Sequence, residues 1–251
     1  MLQSAGASDA IPSPLETAAD GFWSLWSSLT SSRPGSPDSP HGQFERDSML
    51  WYSEDTSAMN YELNFEYLIE RVTPRLDAAQ VARVYRAYEV ACEAHTGQTR
   101  DEGTPYIVHP VRVAVSLVDE LNLYSPTLVC SALLHDVIED SDITREDIVQ
   151  MFGEQIAEVV WLLTKLEDVS LTQYLAGIEA AAHTGAPIVK LCDRLDNLRS
   201  IVYSPRLEKK RRLIHTTEEL YVPLAARTNP YLHRELRRSL DKARSQVESA
   251  D

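Results

Sequence analysis

The sequence predicts an all-α protein, and three observations carry that expectation. From Tyr61 onward apolar residues recur at spacings of three and four, the pattern of helices with one buried face. No strand-type alternation of any length interrupts it. With 251 residues, 43% of them hydrophobic, the chain can enclose one substantial core.

Residues 1–57 stand apart. They are rich in Ser, Pro, Gly and Ala, most clearly in SSRPGSPDSPHG at residues 31–42. Such a composition buries too little apolar surface to offset the entropy of ordering, so a largely disordered extension is expected, followed by a folded domain over residues 58–251. One exception is GFWSLWSSL at residues 21–29. There Phe22, Trp23, Leu25, Trp26 and Leu29 can form a short apolar face, either a docking peptide for a partner protein or a fraying turn.

In the folded part, Phe65, Leu68, Ile69 and Val72 mark a first helix, punctuated by Pro74. Asp77 reads as the N-cap of a long amphipathic helix built on Val81, Val84, Tyr85, Tyr88, Ala91 and Cys92, ending near His95. Gly97, Gly103 and Pro105 make residues 96–105 a turn-rich crossing. A helix over residues 107–123 is entered through His109-Pro110, with the proline suited to a first turn. The apolar run from Leu128 to Leu134 begins a buried helix expected to continue to Asp140. A short helix follows, capped by Thr144 and stopped by Gly153. Residues 155–166 form another apolar helix. A short one carries Tyr174 and Ile178, with Tyr174 packing in the core or stacking on a base. After the break at Gly185 and Pro187, Ile188, Leu191, Cys192, Leu195 and Leu198 define a helix over residues 188–202. Residues 206–212 and 216–226 continue as helix.

Charge and composition narrow the function. The net charge of −14 opposes non-specific nucleic-acid binding, although basic residues concentrate in the last third, at Lys209, Lys210, Arg211, Arg212, Arg234, Arg237 and Arg238. No run approaches the ~18 apolar residues of a membrane span. The N-terminus lacks a basic region followed by an apolar core, so no secretory signal is read and a cytoplasmic protein is expected. The three cysteines, Cys92, Cys130 and Cys192, are odd in number and lie in apolar patterns. They read as buried free thiols.

The chemistry gathers at residues 130–140, CSALLHDVIED. His135, Asp136, Glu139 and Asp140 fall within a turn or so of one another, and residues three and four apart share a helix face. Placing three acids and an imidazole at the end of an apolar helix is costly unless a cation or solvent compensates. A divalent metal would do so. The run can also be a helix end passing into an acidic surface loop. Two further runs supply candidate ligands: HTGQTRDEGTPYIVHP at residues 95–110, with His109, and VKLCDRLDNLRS at residues 189–200, with Asp193.

The order H…HD…D resembles the metal-dependent HD phosphohydrolase superfamily. The fuller pattern, HxGQxR…GxPYxxHP, HDxxED and KxxDRLxNLR, is similar to the hydrolase domain of the RelA/SpoT alarmone enzymes over residues 63–224. That resemblance implies an HD-domain helical bundle with His109, His135, Asp136 and Asp193 as metal ligands and Glu139 and Asp140 as the catalytic acids, their division of labour open. It implies Arg100, Asn197 and Ser200 as nucleotide contacts. Lys165 either reaches phosphate or meets a helix dipole. The mixed N/O donor set suits Mn²⁺, or another divalent metal such as Fe²⁺, better than a thiolate-rich zinc site does. The implied reaction is hydrolysis of the 3′-pyrophosphate of (p)ppGpp, a purine nucleotide alarmone, to GDP or GTP and pyrophosphate. The expected type is a stand-alone small alarmone hydrolase, with no room after residue 226 for a synthetase domain.

Two positions depart from the family pattern. Asp101-Glu102 stands where Lys-Ser is common, which should weaken polyanion binding or change the nucleotide. That keeps (p)ppApp and the 2′-phosphate of NADPH as alternative substrates. Asp196 replaces a histidine often found there and reads as a surface change. A reading of another class makes the protein a nucleotide-binding regulator or antitoxin, docking through the Trp23/Trp26 segment.

Overall fold

The computed structural model describes residues 59–248, and the expectations for residues 1–57, the Trp23/Trp26 segment among them, lie outside the described residues. The described part is helical, and its only strand-like pairing is a single bridge between Thr99 and Pro105. In chain order the helices are α1 (Met59–Val72), α2 (Ala78–Ala94), α3 (Val108–Val115), α4 (Pro126–Leu134), α5 (Val137–Asp140), α6 (Arg145–Phe152), α7 (Glu154–Leu163), α8 (Leu171–Ala180), α9 (Ala186–Ser200), α10 (Leu207–Thr216), α11 (Val222–Thr228) and α12 (Pro230–Glu248).

Local signals set many of the boundaries. Asp77 accepts a hydrogen bond from the Gln80 amide while the Gln80 side chain accepts from the Asp77 amide, closing a reciprocal cap on α2. Thr144 and Asp147 do the same at α6, and Ser170 and Gln173 at α8. Gly153, at φ 87°, ends α6 and starts α7 in a conformation that favours glycine.

Two helices differ from expectation in ways that shape the site. The helix expected over residues 107–123 is α3 followed by one π turn, Ser116–Glu120. That wider turn sets Glu120 against Arg199 in a bidentate pair (2.6 and 2.9 Å), with the Tyr231 hydroxyl donating to it at 2.7 Å and Ser116 at 3.0 Å. The helix expected to run to Asp140 instead breaks at His135-Asp136. His135 sends its Nδ1 to the Ala132 carbonyl (2.7 Å), occupying an acceptor that a helix end leaves open. The backbone turns at Asp136 (φ −101°, ψ −4°) before α5 restarts for one turn.

α3, α4 and α9 pack on one another, and α9 also lies against α12. Gly185, at φ 83°, opens α9. A Cβ there would lie 2.7 Å from Leu128 Cδ2, so the glycine admits the start of α9 beside α4. α12 lies beyond the last helix that the sequence pattern predicts, which ends at residue 226. Its Leu232, Leu236, Leu240, Ala243 and Val247 form a buried stripe opposite a strongly charged face. All three cysteines are free; Cys130 and Cys192 are buried and Cys92 partly so. Among the described residues no helix is long and apolar enough to cross a membrane.

Candidate active site

The packing of α3, α4 and α9 brings three separate runs of sequence to one point. His109 comes from the first turn of α3, His135 and Asp136 from the break after α4, and Asp193 from the middle of α9. His109 Nε2 lies 3.1 Å from Asp193 Oδ1 and 3.9 Å from Asp136 Oδ2. His135 Nε2 lies 3.1 Å from Asp136 Oδ2 and 3.9 Å from Asp193 Oδ1. Both imidazoles are about 1% exposed.

The protonation of the rings follows from their other nitrogens. His135 Nδ1 faces a backbone carbonyl and His109 Nδ1 faces the Asp196 carboxylate at 2.7 Å. Both partners only accept, so each Nδ1 carries a proton and each Nε2 faces the cluster. His135 Nε2 is buried and faces Asp136 Oδ2. Two ring nitrogens and two carboxylate oxygens thus converge, and His109, His135 and Asp136 are grouped closely enough to share one ion. That arrangement fits a divalent cation with N/O ligation. Without one, burial works against protonation of His135. The Asp136 and Asp193 carboxylates outweigh it and hold the ring at about 9. Proton and cation compete for the same nitrogen.

The carboxylates are themselves held. Tyr106 donates its hydroxyl to Asp136 Oδ2 at 2.6 Å, and Asn197 Nδ2 donates to Asp193 Oδ1 at 2.5 Å. Lys190, its side chain only 13% exposed, places Nζ 2.9 Å from the other Asp193 oxygen. Burial opposes that lysine's charge, yet Asp193 keeps it well above the ordinary lysine range.

Glu139 and Asp140 stand at the exposed rim beside this cluster. Glu139 accepts the Lys165 amide at 2.5 Å, and Asp140 Oδ2 lies 3.9 Å from His95 Nδ1. Both carboxyls are raised, chiefly by partial loss of solvent; Asp136 adds to the rise at each. Gln98 donates to the Asp140 carbonyl (3.2 Å) and pairs with the buried His95 ring (3.0 Å), so the residues of the HxGQ run brace α5.

Three of the four expected nucleotide contacts meet on one wall. Arg100 Nη2 donates to Asn197 Oδ1 (2.8 Å) and to Ser200 Oγ (3.0 Å), while its Nε reaches Glu102 at 3.2 Å. Lys165 lies elsewhere, beside Glu139, its Nζ bonded to the Leu166 carbonyl at 3.3 Å. Asp101 and Glu102 are both compensated. Glu102 pairs with Arg100, and Asp101 sits 2.8 Å from Lys209, 3.5 Å from Arg206 and 2.9 Å from the Ser204 hydroxyl. Tyr174 is buried and donates its hydroxyl to the Leu163 carbonyl, which makes it a packing residue.

One expectation is overturned outright. Asp196 is not a surface residue: it is 1% exposed and bonded to His109. The helix periodicity of α9 places 196 three residues after Asp193, on the face that meets α3, beside the apolar stripe that marks the helix in the sequence. Lys190, Tyr106 and His95 were visible inside the quoted motifs but had no role assigned.

The family model described as HD domain matches residues 87–229, and the chain belongs to that family. Within it, the chain is 41% identical over 172 residues to the bifunctional (p)ppGpp synthase/hydrolase SpoT of Escherichia coli K12, covering 65% of this chain and 24% of that protein. It is 39% identical over 150 residues to the guanosine-3′,5′-bis(diphosphate) 3′-pyrophosphohydrolase of Aquifex aeolicus, covering 57% of this chain and 21% of that one. The chain therefore spans about a quarter of the length of these relatives. Among solved structures it resembles a metazoan ortholog of SpoT, described as hydrolysing ppGpp, with a TM-score of 0.57 and 27% identity. The match covers 64% of this chain and 95% of that one.

Proposed function

We propose that this protein hydrolyses the 3′-pyrophosphate of (p)ppGpp, giving GDP or GTP and pyrophosphate, with Mn²⁺ as its metal. The observation that carries the reading is the convergence of His109 Nε2, His135 Nε2, Asp136 Oδ2 and Asp193 Oδ1. Two rim carboxyls and an arginine wall stand beside it.

His109, His135, Asp136 and Asp193 would hold the ion, and a divalent cation there supplies Lewis acidity toward water and phosphoryl oxygens. The remaining work falls to the chain. Water attacks the phosphorus attached to the ribose 3′-oxygen, the bond from phosphorus to that oxygen breaks, and pyrophosphate departs. The water gives up a proton and the 3′-oxygen takes one. Glu139 and Asp140 stand at the rim beside the cluster and would carry both transfers. Arg100 offers a planar, fixed charge to the nucleotide. Asn197 and Ser200 hold that guanidinium in place and present polar groups beside it. Lys190 keeps Asp193 ionised.

The test is to incubate metal-stripped protein with ppGpp, adding Mn²⁺, Mg²⁺ or Zn²⁺ in turn, and to follow pyrophosphate and GDP. Mn²⁺-dependent release that an Asp193→Ala variant loses is the expected result. Release of orthophosphate instead, or turnover of unrelated nucleotides at the same rate, would sink the assignment.

A further inference from the structure

The two imidazoles of the cluster are anchored by different means. His135 rests on a backbone carbonyl, a neutral acceptor supplied by its own helix. His109 rests on Asp196, a carboxylate from α9, 87 residues away in sequence. Both members of the second pair are about 1% exposed, and their 2.7 Å separation is that of a charge-assisted hydrogen bond.

We propose that Asp196 is a positioning residue that fixes His109 as a metal ligand, holding its proton on Nδ1 and turning the Nε2 lone pair toward Asp193. The inference rests on the metal reading above and adds to it a residue that touches neither metal nor substrate. A carboxylate behind an imidazole does two things that a carbonyl does less well: it fixes ring orientation and tautomer, and it makes the far nitrogen a stronger donor. Burial opposes the charge of Asp196, but the hydrogen bond to His109, with smaller support from Arg112 and Arg100, outweighs it. Arg100 is also the guanidinium held by Asn197 and Ser200, and Asp196 favours its charge, so the aspartate acts on both the metal cluster and the nucleotide wall. This is a device of the aspartate; a neutral histidine at 196 would bring no charge to the pair.

Asp196→Asn preserves shape and an acceptor oxygen while removing the charge. Metal-stripped wild type, Asp196→Asn and Asp193→Ala are titrated with Mn²⁺ by calorimetry, and each is unfolded in urea without metal. The proposal expects Asp196→Asn to bind Mn²⁺ about 10- to 100-fold more weakly, the range for such supporting residues. A purely structural residue would lower the urea midpoint and leave the affinity of the folded protein alone. The second measurement is a long-range ¹H–¹⁵N spectrum of histidine-labelled, Zn²⁺-loaded protein. Wild-type His109 should carry its proton on Nδ1, and Asp196→Asn should shift that resonance while leaving His135 in place.

The failures are distinguishable. A wild type that binds no divalent ion removes the metal reading itself. A wild type that binds while Asp196→Asn binds equally, with the His109 signal unmoved, overturns the role of Asp196. Should Asp196→Asn not fold, the wild-type spectrum still decides, and a His109 proton on Nε2 would refute the proposal.

Discussion

Replacing Lys190 by methionine separates the electrostatic support of the cluster from its packing. Methionine keeps most of the lysine stem, so the lost quantity is the ammonium 2.9 Å from Asp193 Oδ2. Both side chains are nearly enclosed, 13% and 8% exposed, and breaking a buried pair by removing one partner costs about 3–5 kcal/mol. Urea unfolding of the metal-stripped variant should show a loss of that size. Mn²⁺ should then restore part of it. Asp193 has one oxygen toward Lys190 and the other toward His109 Nε2 at 3.1 Å, so a cation in the cluster compensates the same carboxylate. At 100 times its dissociation constant a ligand stabilises the native state by about 2.7 kcal/mol, and each tenfold gain in affinity adds ~1.4 kcal/mol. Losing the competing ammonium should raise Mn²⁺ affinity, so at equal Mn²⁺ the variant gains more stability than wild type, by roughly 1 kcal/mol or more. A metal-free loss under about 1 kcal/mol would show that Lys190 is not a buried counter-ion. Equal metal stabilisation of variant and wild type would show that metal and lysine do not share Asp193.

The Glu120 hub predicts acid sensitivity away from the site. Burial raises its pKa, but Arg199, Tyr231 and Ser116 together outweigh that and leave it below the ordinary 4.5. A depressed folded-state pKa gives stability that is present above the unfolded value and lost as pH falls through the folded one. Urea midpoints should therefore hold steady down to about pH 5 and fall below 4.5, with a shallower fall in Glu120→Gln. Arg199→Ala should cost about 3 kcal/mol at pH 7, and a loss under ~1 kcal/mol would contradict the hub. At the nucleotide wall, Asp101→Lys replaces an acid held by Lys209 and Arg206 with a cation and frees both. Steady-state kinetics should show a KM for ppGpp lower by about threefold, ~0.7 kcal/mol, with kcat little changed. An unchanged or higher KM would show that Asp101 does not oppose the polyanion.

Much of the site is legible in the sequence because its residues are packed into short runs. His135-Asp136 sits at the end of an apolar helix, and His109 precedes a helix-entry proline, so their placement needs only the local pattern. The break after His135 is not legible, since Glu139 and Asp140, three and four residues after Asp136, suggest a continuous face. What interrupts it is the His135 side chain bonding to Ala132 and the turn at Asp136. Asp196 was misplaced for another reason. The periodicity of α9 defines one apolar stripe, while α3 meets a neighbouring polar face, and only tertiary packing reveals that a second face is buried. α12 carries a clear i, i+4 stripe at Leu232, Leu236 and Leu240 that reading further along the chain would have found. The paired Asp101 and Glu102 show the converse limit: their charges are plain in the sequence, but Lys209 and Arg100 as partners are not.

The central claim is that this cluster directs water to phosphorus at the ribose 3′ position. It is tested most directly by running the Mn²⁺-supplemented reaction with ppGpp in ¹⁸O-labelled water and locating the label by ³¹P NMR and mass spectrometry. The proposed reaction predicts one ¹⁸O in the released pyrophosphate and none in GDP. Label on the nucleoside, or in orthophosphate, would mean that a different bond is broken and would contradict the account.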